Sequence, residues 1–376
     1  MQVLTEIGVP VEYADLEALD ISRLNEPGGK EALAAQVLSF INRNVYASVY
    51  VNRHGTRSIN VYTYPYRTPG FFYVTGHGFT DAQVRRQYAL CRAVFDLPLE
   101  EKLKYKCDTA AGDFRGYKPR TPDDGSGKLA ARDNDERYNI PKFTPEHVRP
   151  HPRIILDHWD EIGAFSRRVH DALLLPLLRL FAHVLELDDE EALARRHSYE
   201  APGLEYLRYM KYHPRTGEGA QEPADSLWAG AHTDYNTLTF LFHQPVAGLQ
   251  VQTAPGGPWR YVRSPRDAII VNIADALEFL SGGYLRSTVH RVVRPPEDQA
   301  DKPRFSLIYF ARPEADVVME PLSSPLLRRV GLGERIQKEK FARQVTAEEW
   351  ARARIAKDHR FRVGIVDQQE KEIIAG

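Results

Sequence analysis

Cysteine is scarce in this chain, net charge is almost absent, and no long apolar segment occurs. The two cysteines, Cys91 and Cys107, are too few for the disulfide framework of a small secreted domain. The 50 Lys and Arg residues nearly balance the 51 Asp and Glu residues, which argues against a general binder of nucleic acid or acidic membranes. No stretch approaches the ~18 apolar residues that span a bilayer, and residues 1–6 lack the features of a signal peptide. These absences predict a soluble, cytoplasmic protein that binds neither nucleic acid nor membranes.

The residues that are present suffice for a packed core in an α+β chain. Hydrophobic residues make up 43% and aromatic residues 10% of the 376 positions. Apolar residues at helical spacing predict helices over 81–95 and 153–187, the second of them kinked or split by Pro176. Over 204–313 the pattern changes to short strand-like runs separated by Gly and Pro turns. Helices followed by such strands predict an α+β fold, with the strands arranged as a two-sheet jelly-roll.

The most informative motif is His232-Thr233-Asp234, followed by His290 in a β-branched, strand-like run over 287–293. Side chains two positions apart on a strand point to the same face, so His232 and Asp234 are expected to hold one metal ion from a single strand. Two imidazoles and one carboxylate that leave positions open are the ligand set of non-haem Fe(II) oxygenases. Zinc accepts the same ligand types, so a zinc site or an inactive fold is the alternative interpretation.

Arg304 and Ser306 share one face of a further strand-like run with Ile308 and Phe310. An outward Arg304 would expose Phe310 as well, whereas an inward guanidinium requires an anionic partner because an unpaired buried charge is costly. A guanidinium and a hydroxyl suit the distal carboxylate of an oxo-acid such as 2-oxoglutarate. A zinc hydrolase has no need of this pair, which favours iron with O2 at an open position.

With these motifs the chain resembles the isopenicillin-N-synthase-like family of 2-oxoglutarate- and Fe(II)-dependent dioxygenases, especially its fungal members. The resemblance covers about residues 8–43 and 70–355. The segments that carry it are GFFYVTGHGF from Gly70, FDLPLEEK from Phe95, GYKP from Gly116, YMKYHP from Tyr209, HTD from His232, GLQV from Gly248, VNIAD from Val271, GGYLRS from Gly282, HRV from His290 and RFS from Arg304.

The resemblance implies a double-stranded β-helix, or jelly-roll, core buttressed by helices. We expect an N-terminal helical and mixed portion at 1–200, a jelly-roll catalytic core at 201–315, and a C-terminal helical extension at 316–376, all packed as one compact unit.

The resemblance also implies the cofactor Fe(II), the co-substrates 2-oxoglutarate and O2, and specific roles for six residues. Catalysis and metal binding fall to His232, Asp234 and His290. Binding of 2-oxoglutarate falls to Arg304, Ser306 and Tyr212. For the last of these, either Tyr212 or the adjacent His213 is expected to face inward, and core packing of Tyr212 is the alternative.

Secondary candidates surround these positions. Asn272 or Asp275 would orient a metal ligand or cap backbone groups. His243 and three aromatic residues would line the pocket or pack in the core, namely Tyr235, Phe242 and Phe310.

The expected reaction is oxidation of a small organic molecule, with 2-oxoglutarate converted to succinate and CO2. Hydroxylation is the default outcome, and desaturation or ring rearrangement are alternatives. The fungal resemblance suggests secondary metabolism. Two other functions stay open, a 2-oxoglutarate-independent iron oxidase and a non-catalytic binding module that retains the fold. The Arg304 and Ser306 pair argues against the first, and the intact ligand set argues against the second.

The segment 44–69 departs from the family pattern, because it interrupts the join between a helix and the strand that follows Gly70. The stretch from residue 33 to residue 79 contains no Asp or Glu, and the segment itself contains five tyrosines: Tyr46, Tyr50, Tyr62, Tyr64 and Tyr66. Three interpretations remain, namely a surface loop or hairpin insertion, a retained intron in the gene model, and an aromatic lid or docking element.

Overall fold

The computed structural model describes residues 8–42, 46–51, 57–62, 70–120, 134–214, 226–254, 256–332 and 345–362. The helices are α1 (Gly29–Asn42), α2 (Asp81–Phe95), α3 (Leu99–Leu103), α4 (Arg153–Leu156), α5 (Trp159–Val169), α6 (Leu175–Val184), α7 (Asp275–Leu280), α8 (Pro325–Arg329) and α9 (Ala347–Arg362). The strands are β1 (Ala18–Asp20), β2 (Tyr46–Val51), β3 (Arg57–Tyr62), β4 (Phe71–Thr75), β5 (Gly116–Lys118), β6 (Asp135–Pro141), β7 (Tyr206–Tyr212), β8 (Leu227–His232), β9 (Leu238–Leu241), β10 (Leu249–Gln252), β11 (Trp259–Tyr261), β12 (Ile269–Ile273), β13 (His290–Val293) and β14 (Arg304–Ala311).

Two facing sheets form the jelly-roll that the strand pattern predicts. The larger sheet has the order β1-β4-β12-β9-β14-β7-β6-β5, and the smaller sheet has the order β11-β10-β13-β8. Neighbouring strands are antiparallel except β1 and β4, which are parallel. The mixed α+β class and the jelly-roll are therefore confirmed.

Alternation along β14 shows why the larger sheet has two different faces. Phe305, Leu307 and Tyr309 point to one side and join the core formed with the helices. The residues that alternate with them, including Arg304 and Ser306, point to the smaller sheet and line the cavity between the sheets. Because side chains alternate along a strand, an apolar outer face and a polar inner face come from one sequence pattern.

The predicted helix over 81–95 is confirmed by α2. The predicted helix over 153–187 is observed with a break at residues 157–158 and an end at Val184. Thr80 and Gln83 form a capping box at the start of α2, in which each side chain accepts a hydrogen bond from the other residue's backbone. A π-helical turn at His170–Leu174 separates α5 from α6 just before Pro176. Proline has no N–H to continue the helical bonding, so the bonding changes to this wider turn just before Pro176, while the chain stays helical from Trp159 to Val184.

The atypical segment 44–69 contributes β2 and β3, which pair with each other as an antiparallel hairpin. Within the described part of the chain, neither strand pairs with the two larger sheets. A hairpin is one of the three interpretations of this segment. The rest of the segment lies outside the described residues, and the choice among the interpretations remains a prediction.

A buried carboxylate ties the edge of the larger sheet to the helical layer. Glu136 on β6 accepts hydrogen bonds from Lys102 at 2.8 Å, from Tyr117 at 2.7 Å and from His213 at 3.0 Å. Burial by itself would raise the pKa of Glu136, but these three donors outweigh it and lower the pKa to about 2. The ionised carboxylate is therefore the stable form in the folded chain.

Glu136→Gln should lower the free energy of unfolding at pH 7 by about 3 kcal/mol, because Lys102 is left buried without its counter-ion. The folded-state pKa of Glu136 lies below the ~4.3 of an unfolded chain. The carboxylate's contribution is therefore complete above roughly pH 4.3 and is lost as the pH falls toward the folded value. Urea unfolding at several pH values tests this, and a difference between variant and wild type that does not shrink below about pH 4.3 would contradict it.

Candidate metal centre and co-substrate pocket

Three candidate metal ligands meet where the two sheets join. His232 is the last residue of β8 and His290 is the first residue of β13, and the pairing of these strands sets the two histidines opposite each other. Asp234 lies beyond the end of β8, so the prediction that one strand carries both His232 and Asp234 is wrong for Asp234. The chain leaves the smaller sheet at His232 to reach β9 of the larger sheet, and Asp234 lies on that connection. The predicted strand over 287–293 is also shorter, since it begins at His290.

The ligand atoms of these three residues all lie within 4.8 Å of one another. Oδ1 of Asp234 is 3.8 Å from Nε2 of His232 and 3.8 Å from Nε2 of His290. The two imidazole rings are 4.4 Å apart between centroids. His290 is buried, with Phe71 edge-on at 5.3 Å, whereas His232 faces the open side. The arrangement presents two nitrogens and one oxygen from one side and leaves the other side open.

Backbone carbonyls fix which nitrogen of each imidazole carries the proton. Nδ1 of His232 donates to the carbonyl of Gly230 at 2.8 Å, and Nδ1 of His290 donates to the carbonyl of Thr288 at 3.0 Å. A carbonyl only accepts hydrogen bonds, so each neutral ring keeps its proton on Nδ1 and offers the lone pair of Nε2. Each candidate ligand therefore presents the lone pair of Nε2 for metal coordination in one fixed tautomer.

The second oxygen of Asp234 is held by two donors from the larger sheet. The hydroxyl of Thr239 donates to Oδ2 at 2.7 Å, and the amide of Asn272 donates to it at 3.0 Å. Burial alone would raise the pKa of Asp234, but the imidazoles of His290 and His232 in their protonated form, together with these two donors, lower it below its ordinary value. The carboxylate therefore stays ionised, with Oδ1 directed at the histidines.

Arg304 and Ser306 lie together on the inner face and are almost completely buried. Arg304 donates to the Ser306 hydroxyl at 3.1 Å and to the side-chain carbonyl of Gln244, while its Nε has no partner among the described residues. No carboxylate of the described residues pairs with Arg304, although a guanidinium stays charged in a protein. This buried charge fits the predicted anion, the distal carboxylate of 2-oxoglutarate.

Of the two candidates beside Arg304, Tyr212 faces inward and His213 does not. The Tyr212 ring lies 5.2 Å from the Arg304 guanidinium and stacks on Trp228 at 5.9 Å. Burial, reinforced by Asp135, raises the pKa of Tyr212 to about 12, so its hydroxyl remains a donor at neutral pH. His213 instead bonds Glu136 on the outer face.

A single cavity of about 310 Å³ between the sheets is lined by all six predicted site residues, namely His232, Asp234, His290, Arg304, Ser306 and Tyr212. This size lies at the lower end of the range for small-molecule sites. Asn272 and Phe310 also line the cavity. His243 does not, since its ring bonds the backbone of Ser264, and Phe242 packs in the helical core. Tyr235 is not among the lining residues, and Asp275 accepts a bond from Thr233 next to the ligands.

Three residues of this region were missing from the sequence-based prediction. Thr239 holds Asp234, Gln244 holds Arg304, and Arg208 lines the cavity. A signal existed for Thr239, because a hydroxyl between two apolar residues of a buried strand needs a partner. No comparable signal existed for Gln244 or Arg208, whose partners depend on how distant strands pair.

Comparison with family models gives two matches. Residues 204–313 match the model described as 2OG-Fe(II) oxygenase superfamily. Residues 65–159 match the model described as non-haem dioxygenase in morphine synthesis, N-terminal. The first range contains every candidate ligand and the Arg304 pair.

Curated relatives extend over most of the chain. A UPF0676 protein of Schizosaccharomyces pombe is 31% identical over 291 residues, which cover 76% of this chain and 84% of the relative. A 2-oxoglutarate-dependent dioxygenase of Dothideomycetidae sp. is 32% identical, covering 66% of this chain and 75% of the relative. Leucoanthocyanidin dioxygenase 2 of rice is 31% identical, covering 70% of this chain and 68% of the relative.

Solved structures share the fold at lower identity. A full-length Neurospora crassa protein in complex with alpha-KG aligns with a TM-score of 0.69 and 23% identity, covering 93% of this chain and 99% of that chain. A rice dioxygenase for auxin oxidation aligns with a TM-score of 0.59 and 20% identity, covering 92% of this chain and 96% of that chain. At this identity the likeness concerns the fold.

Thr239→Val should weaken Fe(II) binding roughly tenfold, because it removes a hydrogen bond that orients the Asp234 carboxylate and keeps the side-chain shape. Anaerobic competition with a chromogenic chelator measures the dissociation constant. Thr237→Val is the matched control, since it removes a buried hydroxyl that contacts Nε2 of His197 at 2.8 Å instead. Equal Fe(II) affinities in the two variants would show that Thr239 does not support the metal ligand.

Proposed function

The chain belongs to the 2OG-Fe(II) oxygenase superfamily, and from this premise we propose that it oxidises a small organic molecule in secondary metabolism. It is a 2-oxoglutarate-dependent dioxygenase that uses Fe(II), 2-oxoglutarate and O2. Hydroxylation is the proposed outcome, with desaturation or ring rearrangement as alternatives. Support for a small substrate comes from a relative named for leucoanthocyanidin and from a structural neighbour in complex with thymine.

The proposed metal ligands are His232, Asp234 and His290. The donor set fits Fe(II), since two imidazoles and one carboxylate that leave positions open suit non-haem iron. Bound Fe(II) supplies, together with O2 and 2-oxoglutarate, the oxidising power of the reaction, and 2-oxoglutarate becomes succinate and CO2. The observation that carries this proposal is the single cavity that holds both the three ligands and the buried Arg304.

The chain's own contribution is to bind and orient. We assign Arg304 and Ser306 to the distal carboxylate of 2-oxoglutarate, because both present donors on the inner face and Arg304 lacks a carboxylate partner within the described residues. Tyr212 would act as a neutral donor or as a ring that limits water access to this end. Apolar residues such as Leu241 and Ile308 line the stretch between the two ends and exclude water from it.

Two other functions are less consistent with the site. A 2-oxoglutarate-independent iron oxidase has no need for the buried pair of Arg304 and Ser306. A non-catalytic binding module has no need for two histidines whose protons are held on Nδ1 so that both Nε2 lone pairs point toward one carboxylate. Succinate release in the presence of candidate substrates distinguishes the proposed function from the other two, and O2 consumption without 2-oxoglutarate distinguishes the oxidase from the binding module.

Placement in the cell and the division of the chain remain part of the proposal. We propose a reducing, cytoplasmic location, which agrees with two buried cysteines that form no disulfide and with a ferrous cofactor. Among the helices described, none is long and apolar enough to cross a membrane. We also propose a division into an N-terminal portion at 1–200, a catalytic core at 201–315 and a C-terminal extension at 316–376, in which β1, β4, β5 and β6 of the first portion extend the larger sheet of the core.

Fe(II), and not Zn(II), should support turnover, because the reaction needs a metal that changes oxidation state. His232→Ala, Asp234→Ala and His290→Ala should each abolish succinate formation and leave the folded structure intact. Succinate release, Fe(II) content and circular dichroism of each variant test this. Full activity with Zn(II) alone, or near wild-type turnover of Asp234→Ala, would contradict the assignment.

Arg304→Ala should weaken 2-oxoglutarate binding far more than metal binding. Removal of one partner of a buried charge pair costs ~2–5 kcal/mol, which corresponds to roughly 30-fold to a few thousandfold in affinity. Arg304→Lys should recover little, because an ammonium group cannot form the bidentate fork. Ser306→Ala should cost ~1.5–3 kcal/mol at most.

The measurement is a titration of the anaerobic Fe(II) protein with 2-oxoglutarate, followed by the metal-to-ligand charge-transfer band. Arg260→Ala is a matched control, since Arg260 lies on β11, pairs with Glu12 and does not line the cavity. If Arg304→Ala binds 2-oxoglutarate as tightly as this control, the proposed co-substrate site is wrong.

A further inference from the structure

A second arginine on the cavity wall has only neutral hydrogen-bond partners among the described residues. Arg208 on β7 lies opposite Ile308 of β14, so it shares the inner face with Arg304 but lies four residues closer to the Asp234 end. Its Nε donates to Oδ1 of Asn139 at 2.8 Å, and one terminal nitrogen donates to the Tyr206 hydroxyl at 3.1 Å. A guanidinium has five N–H donors, so three remain for a ligand.

The other charges of the cavity leave Arg208 without a counter-ion in contact. Arg137 forms two hydrogen bonds with the carboxylate of Asp135. The charges of Fe(II) and Arg304 are balanced by Asp234 and the two carboxylates of 2-oxoglutarate. Within the described part of the chain, no carboxylate contacts Arg208. Because a buried or partly buried cation without an anion is costly, the filled site would still have room for one negative charge.

A third guanidinium strengthens the positive potential at this place. Arg312, just beyond the end of β14, is buried, and the Tyr206 ring lies within 5.5 Å of both Arg312 and Arg208. Nε and one terminal nitrogen of Arg312 have no hydrogen-bond partner among the described residues. Arg312 is not among the residues that line the cavity, but two cations near one aromatic ring, with no described carboxylate bonded to either, favour a bound anion.

The surroundings of Arg208 are aromatic as well as cationic. Phe310 stacks on Tyr206 at 4.9 Å, and the Arg208 guanidinium lies 4.6 Å from the centre of the Phe310 ring. Phe114 packs edge-on against Tyr206 at 4.8 Å. A ligand whose carboxylate meets Arg208 would therefore place its apolar body against Phe310, on the side of the cavity that leads to the metal ligands.

We propose that Arg208 binds a carboxylate of the primary substrate, so that the substrate class is a small organic acid with an apolar body. This inference rests on the proposed function, because it assigns Arg304 to 2-oxoglutarate and leaves Arg208 for the molecule that is oxidised. The two arginines thus divide the cavity into a co-substrate end and a substrate end.

The test uses full-length protein loaded anaerobically with Fe(II) and 2-oxoglutarate. Titration calorimetry with phenylacetate, cinnamate, indole-3-acetate and cyclohexylacetate, each beside its primary amide, measures the preference for a carboxylate. We expect at least one acid to bind roughly 10- to 100-fold more tightly than its amide, as for a hydrogen bond to a charged group. Arg208→Gln should remove this preference and leave the affinity of the amide unchanged, and Arg208→Lys should retain part of it.

Two controls keep the result interpretable. Arg260→Gln makes the same substitution outside the cavity and should bind acids as wild type does. The charge-transfer band of Arg208→Gln with 2-oxoglutarate reports that its metal and co-substrate sites are intact. If Arg208→Gln does not fold, it shows no band, and the comparison with wild type is then made with Arg208→Lys.

Each contrary outcome has a distinct meaning. If no acid binds more tightly than its amide, or if Arg208→Gln keeps the preference, the inference is wrong although the proposed function stands. If Arg208→Gln weakens 2-oxoglutarate as much as the acids, Arg208 belongs to the co-substrate site and the inference is again wrong. If wild type shows no 2-oxoglutarate-dependent band, the proposed function fails, and the inference fails with it.

Discussion

The candidate site depends on the backbone pairing of β8 with β13. This pairing sets His232 opposite His290 at the edge where the smaller sheet opens. The chain then crosses to the larger sheet, and Thr239 and Asn272 hold the Asp234 carboxylate toward the two imidazoles. The three side chains thus need both sheets. The smaller sheet positions the two imidazole nitrogens, and the larger sheet positions the carboxylate oxygen.

Side chains alternate between the two faces of the larger sheet, so one face contributes to stability and the other lines the candidate site. Its outer face packs apolar residues against the helices, and this core supports the strands. Its inner face carries guanidiniums, hydroxyls and amides, groups that are costly to bury without partners. Packing against the helical layer and the ion pair of the edge carboxylate Glu136 offset the free-energy cost of this polar inner face, which is arranged for ligands rather than for packing.

Local signals in the sequence predicted much of this structure. The helix over 81–95, the change in helical bonding before Pro176 and the inward side of Arg304 all follow from neighbours within a few residues, and the structure has each of them. The strand assignment of Asp234 failed, because the end of a strand depends on where its partner ends. The contacts of Gln244 with Arg304 and of Arg208 with Asn139 join segments far apart in sequence, and residue spacing carries no information about how these segments meet.

The carbonyls of Gly230 and Thr288 have a consequence for the thermodynamics of metal capture. Because each ring is already locked in one tautomer and one orientation, little rotational entropy of the imidazoles remains to be lost on binding. Such a preorganised site gains affinity for metal from its rigidity as well as from the number of its ligands. The same rigidity means that a small shift of the β8–β13 edge would misalign both rings at once, so the affinity for metal reports directly on the integrity of that edge.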